Sequence, residues 1–120
     1  MRFLCIYKPS QPEGTPPTPE MMAAMGKLIE ESVKSGVLLA TEGCLPSALG
    51  ARIRRTGEKY TVTDGPFTES KELIGGFALI RAASKQEAVE FTKTFLKIAG
   101  DGETEIRQIY EAPACAGGAR

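Results

Sequence analysis

Two stretches of helical periodicity, each with its own start and stop signals and each set between strand-like runs, leave this chain few folds to choose from. The first opens at Thr18-Pro19-Glu20. A hydroxyl residue at the cap, a proline at the first helical position and an acid in the first turn are what a helix N-terminus favours. Met21, Met22, Met25, Leu28, Ile29 and Val33 then recur at three- and four-residue spacing, and Gly36 supplies the stop. The second opens at Ser84-Lys85-Gln86-Glu87, a capping box. Its stripe is Ala88, Phe91, Thr92, Phe95, Ile98 and Ala99, with Gly100 after it.

The strand-like runs complete the pattern. Arg2 to Tyr7 is apolar on both faces, with Phe3, Cys5 and Tyr7 on one side and Leu4 and Ile6 on the other, as a strand in mid-sheet is. Residues 8–19 carry five prolines and read as an irregular surface loop. Val37 to Ala40 is a second strand, ended by Gly43 and Pro46. Ala51 to Thr56 and Tyr60 to Asp64 face each other across Gly57-Glu58 as a hairpin, and Phe77 to Ala82 and Glu103 to Tyr110 supply the last two strands. Strand, helix, strand, inserted hairpin, strand, helix, strand is the ferredoxin-like α+β plan, with both helices on one face of an antiparallel sheet. Tyr7, Phe77 and Ile80 are too apolar for both faces of the sheet to be wet, so the second face is expected to meet the sheet of a second copy in a homodimer.

At 120 residues the chain is one domain's worth, expected over 1–111 with a frayed Ala/Gly-rich tail over 112–120. Lys plus Arg and Asp plus Glu both number 15, a balance that argues against direct nucleic-acid or membrane-surface binding. Cys5, Cys44 and Cys115 make an odd set without C-x-x-C spacing, and there is no histidine. Neither a disulfide framework nor a metal site is expected, Cys44 reads as a small buried thiol, and no cofactor motif is present. Phe3 to Tyr7 is too short for a signal-peptide core or a membrane span, so the expected location is the cytoplasm.

The run from Val62 to Phe77 is the densest in special residues. Asp64 can accept hydrogen bonds from backbone two positions on, Gly65 tolerates positive φ and Pro66 fixes its own φ, so the chain turns sharply. Phe67, the charged cluster Glu69-Lys71-Glu72 and the pair Gly75-Gly76 follow. The glycine pair reads as a strand bulge or a close backbone crossing, and not as a phosphate loop. Asp64-Gly65-Pro66-Phe67 with the acidic-basic-acidic stretch and Gly75-Gly76-Phe77 resembles the signature of the DGPF branch of the bacterial YCII-related proteins. Gly36-Val37-Leu38-Leu39, Glu42-Gly43, Leu45-Pro46, Lys59-Tyr60-Thr61-Val62 and Glu105-Ile106-Arg107 follow the same family's order.

The resemblance implies a dimeric α+β barrel, two sheets packed face to face around a ligand cavity. It also implies a His-Asp pair, with the histidine on the first helix and the aspartate in the strand-turn region. Here Met21, Met22 and Met25 stand where the histidine is sought, while Asp64 remains. The expected function is therefore binding of a small molecule between the sheet and the signature loop. Its contacts are Tyr7, Glu42, Asp64, Gly65, Pro66, Phe67, Glu72, Gly75, Gly76 and Phe77. The alternative is a small lyase, isomerase or hydrolase with Asp64 as general base and a glutamate or Tyr60 as acid. From the resemblance alone comes a third reading, an accessory or sensor for transcription-initiation factors such as an alternative sigma factor.

Overall fold

The structure, a computed structural model, describes residues 1–69 and 73–111. Among them, a four-stranded antiparallel sheet is formed by β1 (Arg2–Pro9), β2 (Leu38–Gly43), β5 (Gly76–Arg81) and β6 (Gly102–Gln108), in the order β2-β5-β1-β6. The strands β3 (Ala51–Thr56) and β4 (Lys59–Asp64) form a separate two-stranded sheet, the inserted hairpin. With α1 (Pro19–Ser35) after β1 and α2 (Lys85–Ala99) after β5, this is the ferredoxin-like α+β plan.

β1 occupies mid-sheet because it is apolar on both faces. Cys5 sits opposite Ala78 on one neighbour and Ile106 on the other, so all three side chains share a face. Phe3 and Ile80 are opposite each other and almost wholly buried, and with Cys5, Leu38, Ala82 and Ala88 they form the core beneath the helices. Burying each of the two large side chains is worth about 1.5–3 kcal/mol.

Both helices begin and end where their caps dictate. Thr18 Oγ1 accepts the Met21 N–H at 3.1 Å, and Gly36 closes α1 with φ of 84°. Ser84 Oγ accepts the Glu87 N–H at 3.1 Å while Glu87 Oε1 accepts from the Ala83 N–H at 3.2 Å, one residue earlier than the standard box. The stripe of α1 differs from its sequence reading. Met22 and Val33 are exposed, and the inward face runs through Met21, Met25, Leu28, Ile29 and the buried Ser32. Met22 and Val33 each follow an inward residue by one position, a turn of roughly 100° away from the sheet.

Two further strand ends shift. β2 runs on to Gly43 because Gly43 pairs with Gly76, and the sheet's register break lies in β2 between Leu38 and Ala40 rather than at Gly75-Gly76. β6 stops at Gln108, short of Tyr110. In the hairpin, Gly57 has φ of 62° at the first of the two turn positions, the arrangement of a type II′ turn. The tail over 112–120 falls outside the described residues.

Candidate functional site

The sheet face beneath the helices does not close tightly at its β2-Gly43 end. Gly43, Gly76, Tyr7 and Thr104 lie side by side in one row across the sheet, and two of the four have no side chain to fill the space above them. A cavity of about 560 Å³ results, between this row and the facing side chains of α1 and α2. That volume is within the range of small-molecule sites.

From α1 the cavity receives Met21, Met25, Leu28, Ile29 and Ser32, and from α2 Phe91, Thr92, Phe95 and Ala99. The wall is mostly carbon, with a few polar atoms at fixed places. Tyr7 is held by the edge of Phe95, with ring centroids 5.2 Å apart and planes at 83°, and its hydroxyl donates to the Asp101 carbonyl at 3.4 Å. Burial, and then the charge of Asp101, push the Tyr7 phenol above its ordinary value. Thr92 Oγ1 donates to the Ala88 carbonyl at 2.9 Å and lies 4.0 Å from Cys5 Sγ. Burial pushes the Cys5 thiol up, and the Thr92 hydroxyl offsets part of that. The Thr104 hydroxyl is buried with no hydrogen-bond partner among the described residues.

The site residues expected from sequence divide into two groups. Tyr7, Glu42, Gly75, Gly76 and Phe77 border the cavity. The first contributes its ring. Strand alternation places the side chains of Glu42 and Phe77, which pair with each other and with Ile6, on the sheet face away from the helices, so their main chain forms the wall. Gly75 is pinned on both sides, its N–H donating to the Tyr7 carbonyl at 2.8 Å and its carbonyl accepting from the Cys44 N–H at 2.9 Å. A Cβ on Gly76 would lie 2.7 Å from the Glu42 carbonyl oxygen, so only glycine allows the two strands this approach.

Asp64, Gly65, Pro66 and Phe67 form a second assembly outside the cavity's described lining. Asp64 ends β4 and is exposed. The Gly65–Pro66 peptide is cis, and the Gly65 N–H donates to the Gly50 carbonyl at 3.1 Å. The loop is gathered by Glu13, whose carboxylate accepts both the N–H and the hydroxyl of Ser47 at 2.7 Å, while Ser47 Oγ accepts the Phe67 N–H at 3.0 Å. Arg52 stacks on the Phe67 ring at 4.1 Å. Tyr60 is exposed, with Arg55 at 5.8 Å from its ring. Glu72 lies outside the described residues, as do Lys71 and Cys115. Cys44, expected to be buried, is exposed; it lies just past Gly43, the last residue of β2.

Sequence reasoning missed the helix side of the cavity. A signal was present in Ser32 and Thr92, hydroxyl residues at inward positions of otherwise apolar stripes. Among the described residues no group of three or more metal-ligating side chains converges, and no helix is long and apolar enough to cross a membrane.

These elements define a ferredoxin-like α+β domain with a neutral, carbon-lined cavity between its helix layer and its sheet. The chain belongs to the YCII-related domain family, whose model it matches over residues 1–113. An uncharacterised protein of Rhizobium meliloti is 33% identical over 73 residues, which are 61% of this chain and 59% of the relative's own length. The structure of a 5-chloro-2-hydroxyhydroquinone dehydrochlorinase from Burkholderia phenoliruptrix in complex with 2,5-dihydroxybenzoquinone is also similar. It is 18% identical with a TM-score of 0.47, over 93% of this chain and 96% of that one.

Proposed function

We propose that this protein binds a small molecule in the cavity between α1, α2 and the sheet, and that it does so as a homodimer. The observation that carries the reading is the cavity itself. About 560 Å³ bordered by Met25, Phe91 and Phe95 is far more than packing voids leave, since protein interiors rarely hold gaps larger than a water molecule. Glycines at 43 and 76 keep the space open from below. The signature run contributes through its downstream end, where Gly75, Gly76 and the Phe77 main chain form the wall.

Binding without turnover is favoured over acid-base catalysis because Asp64, the expected general base, is exposed and stands outside the described lining. A general base must reach the proton that it removes. The test of the binding reading is a cavity-filling variant. A Cβ at Gly43 would meet nothing closer than the Gly75 carbonyl oxygen at 3.8 Å, so Gly43→Leu has room to fold with its side chain on the cavity side of β2. Metabolites that raise the wild-type melting temperature in a thermal-shift screen are expected to lose that effect in Gly43→Leu. An equal shift in a folded Gly43→Leu protein would refute a ligand site here.

The dimer reading rests on surfaces that one chain leaves uncovered. Leu4, Ile6, Phe77 and Leu79 share the sheet face away from the helices. On one face of the hairpin Ile53, Tyr60 and Val62 lie between Arg55 and Asp64, the other face carrying Arg52, Arg54, Lys59, Thr61 and Thr63, and Ile53, Tyr60 and Val62 are 66, 65 and 61% exposed. A second copy, related by two-fold symmetry, offers the matching apolar surface.

A further inference from the structure

Resting on the binding reading above, we infer that the cavity selects an uncharged, largely apolar molecule bearing one hydroxyl or carbonyl group, which faces the Tyr7-Thr104 end.

Among the described lining residues there is no lysine, arginine or aspartate, and the one carboxylate, on Glu42, belongs by strand alternation to the opposite face of the sheet. An anionic ligand would find no described cation within the cavity, and a cationic ligand no described carboxylate. Burying an unpaired charge among carbon side chains is strongly unfavourable. The two titratable side chains in the wall are uncharged at neutral pH, since burial raises both the Cys5 thiol and the Tyr7 phenol. A neutral ligand alone matches such a wall.

Polarity is confined to a few positions. Tyr7 and Thr104 are cross-strand neighbours in the β1–β6 pair, and both border the cavity. The Thr104 hydroxyl has no partner among the described residues, and the Tyr7 hydroxyl makes one long bond to a carbonyl, which leaves its oxygen able to accept. A ligand hydroxyl placed there can accept from Thr104 and donate to the Tyr7 oxygen, and a ligand carbonyl can accept from Thr104. The rest of the ligand meets Met25, Leu28, Phe91 and Phe95, side chains that suit rings and alkyl chains.

Nile red, a neutral fluorophore that brightens in apolar surroundings, is the probe, and cinnamyl alcohol, cinnamate and cinnamylammonium are size-matched competitors at pH 7. Nile red is expected to bind wild type and to lose its signal in Gly43→Leu. Cinnamyl alcohol is expected to displace it at concentrations about tenfold lower than either charged analogue. In Thr104→Val the alcohol is expected to weaken about fivefold while propenylbenzene, which has no hydroxyl, competes as before. If Nile red fails to bind, or binds Gly43→Leu equally, the cavity reading falls and this inference with it. If the probe behaves as expected but cinnamate or cinnamylammonium competes as well as the alcohol, the cavity stands and the inference about ligand class is overturned.

Discussion

Gly65 and Cys5 show how far single residues commit the chain. A Cβ at Gly65 would collide with the Ser47 carbonyl, a backbone atom that the Glu13-Ser47-Phe67 hydrogen bonds hold in place. Gly65→Ala is therefore expected to cost roughly 2 kcal/mol or more, read as a drop in the urea midpoint, because the obstacle is main chain and cannot rotate aside. The need for glycine there was legible from Asp64-Gly65-Pro66, but the reason was not. The expectation was conformational freedom in a turn, whereas φ at Gly65 is not positive and the constraint is contact with a loop 18 positions earlier. Cys5 gives a pH prediction. Burial raises its pKa in the folded state, so its contribution to stability is complete below the unfolded thiol's value of about 8.5 and is lost as pH climbs from there through the raised native value. Urea midpoints measured from pH 7.5 to 9.5 are expected to fall less steeply in Cys5→Ala than in wild type, and an unchanged slope would contradict the burial account. Cys44, being exposed, is expected to react with iodoacetamide in the native protein while Cys5 stays protected, which peptide mapping distinguishes.

Elements were the most legible level, because periodicity and caps are local. Thr18, Gly36, Ser84 and Gly100 mark the ends of α1 and α2 where their chemistry says they should. Ser84→Ala is expected to cost about 1 kcal/mol, a fall of about 4 °C in melting temperature, since it strands the Glu87 N–H that the hydroxyl now accepts. What periodicity could not say was which residues of a stripe point into space rather than into core. Met21, Met25, Phe91 and Phe95 read as packing residues, and the spacing is the same whether the facing row is filled or, as at Gly43 and Gly76, empty. For Glu42, the place beside the cavity follows from sequence order, but the side chain's face follows from register with Phe77, which sequence alone does not give.

At the scale of the whole molecule, the chain is more spread out than its length requires. Its radius of gyration is 16.3 Å, against about 14 Å for a compact 120-residue domain, and its extents are 45 × 43 × 20 Å. β3 and β4 pair with each other and not with the main sheet. An isolated two-stranded hairpin is marginal in water, and three large side chains, Ile53, Tyr60 and Val62, left wet on one face make it more so. Two copies resolve both problems at once if the hairpin of each lies over the other, beside the Leu4-Ile6-Phe77-Leu79 face. Placing a charge on that hairpin face then separates assembly from folding. Sedimentation velocity is expected to give a dimer for wild type at micromolar concentration and a monomer for the double variant Ile53→Glu, Val62→Glu. Amide exchange is expected to slow across β3 and β4 in wild type and to become fast there in the variant, while β1 and β5 remain protected because they pair on both sides in mid-sheet and carry the buried core of the single chain. A double variant that stays dimeric, or a wild-type hairpin that exchanges as freely as an open loop, would leave the hairpin without the partner that its alternation demands.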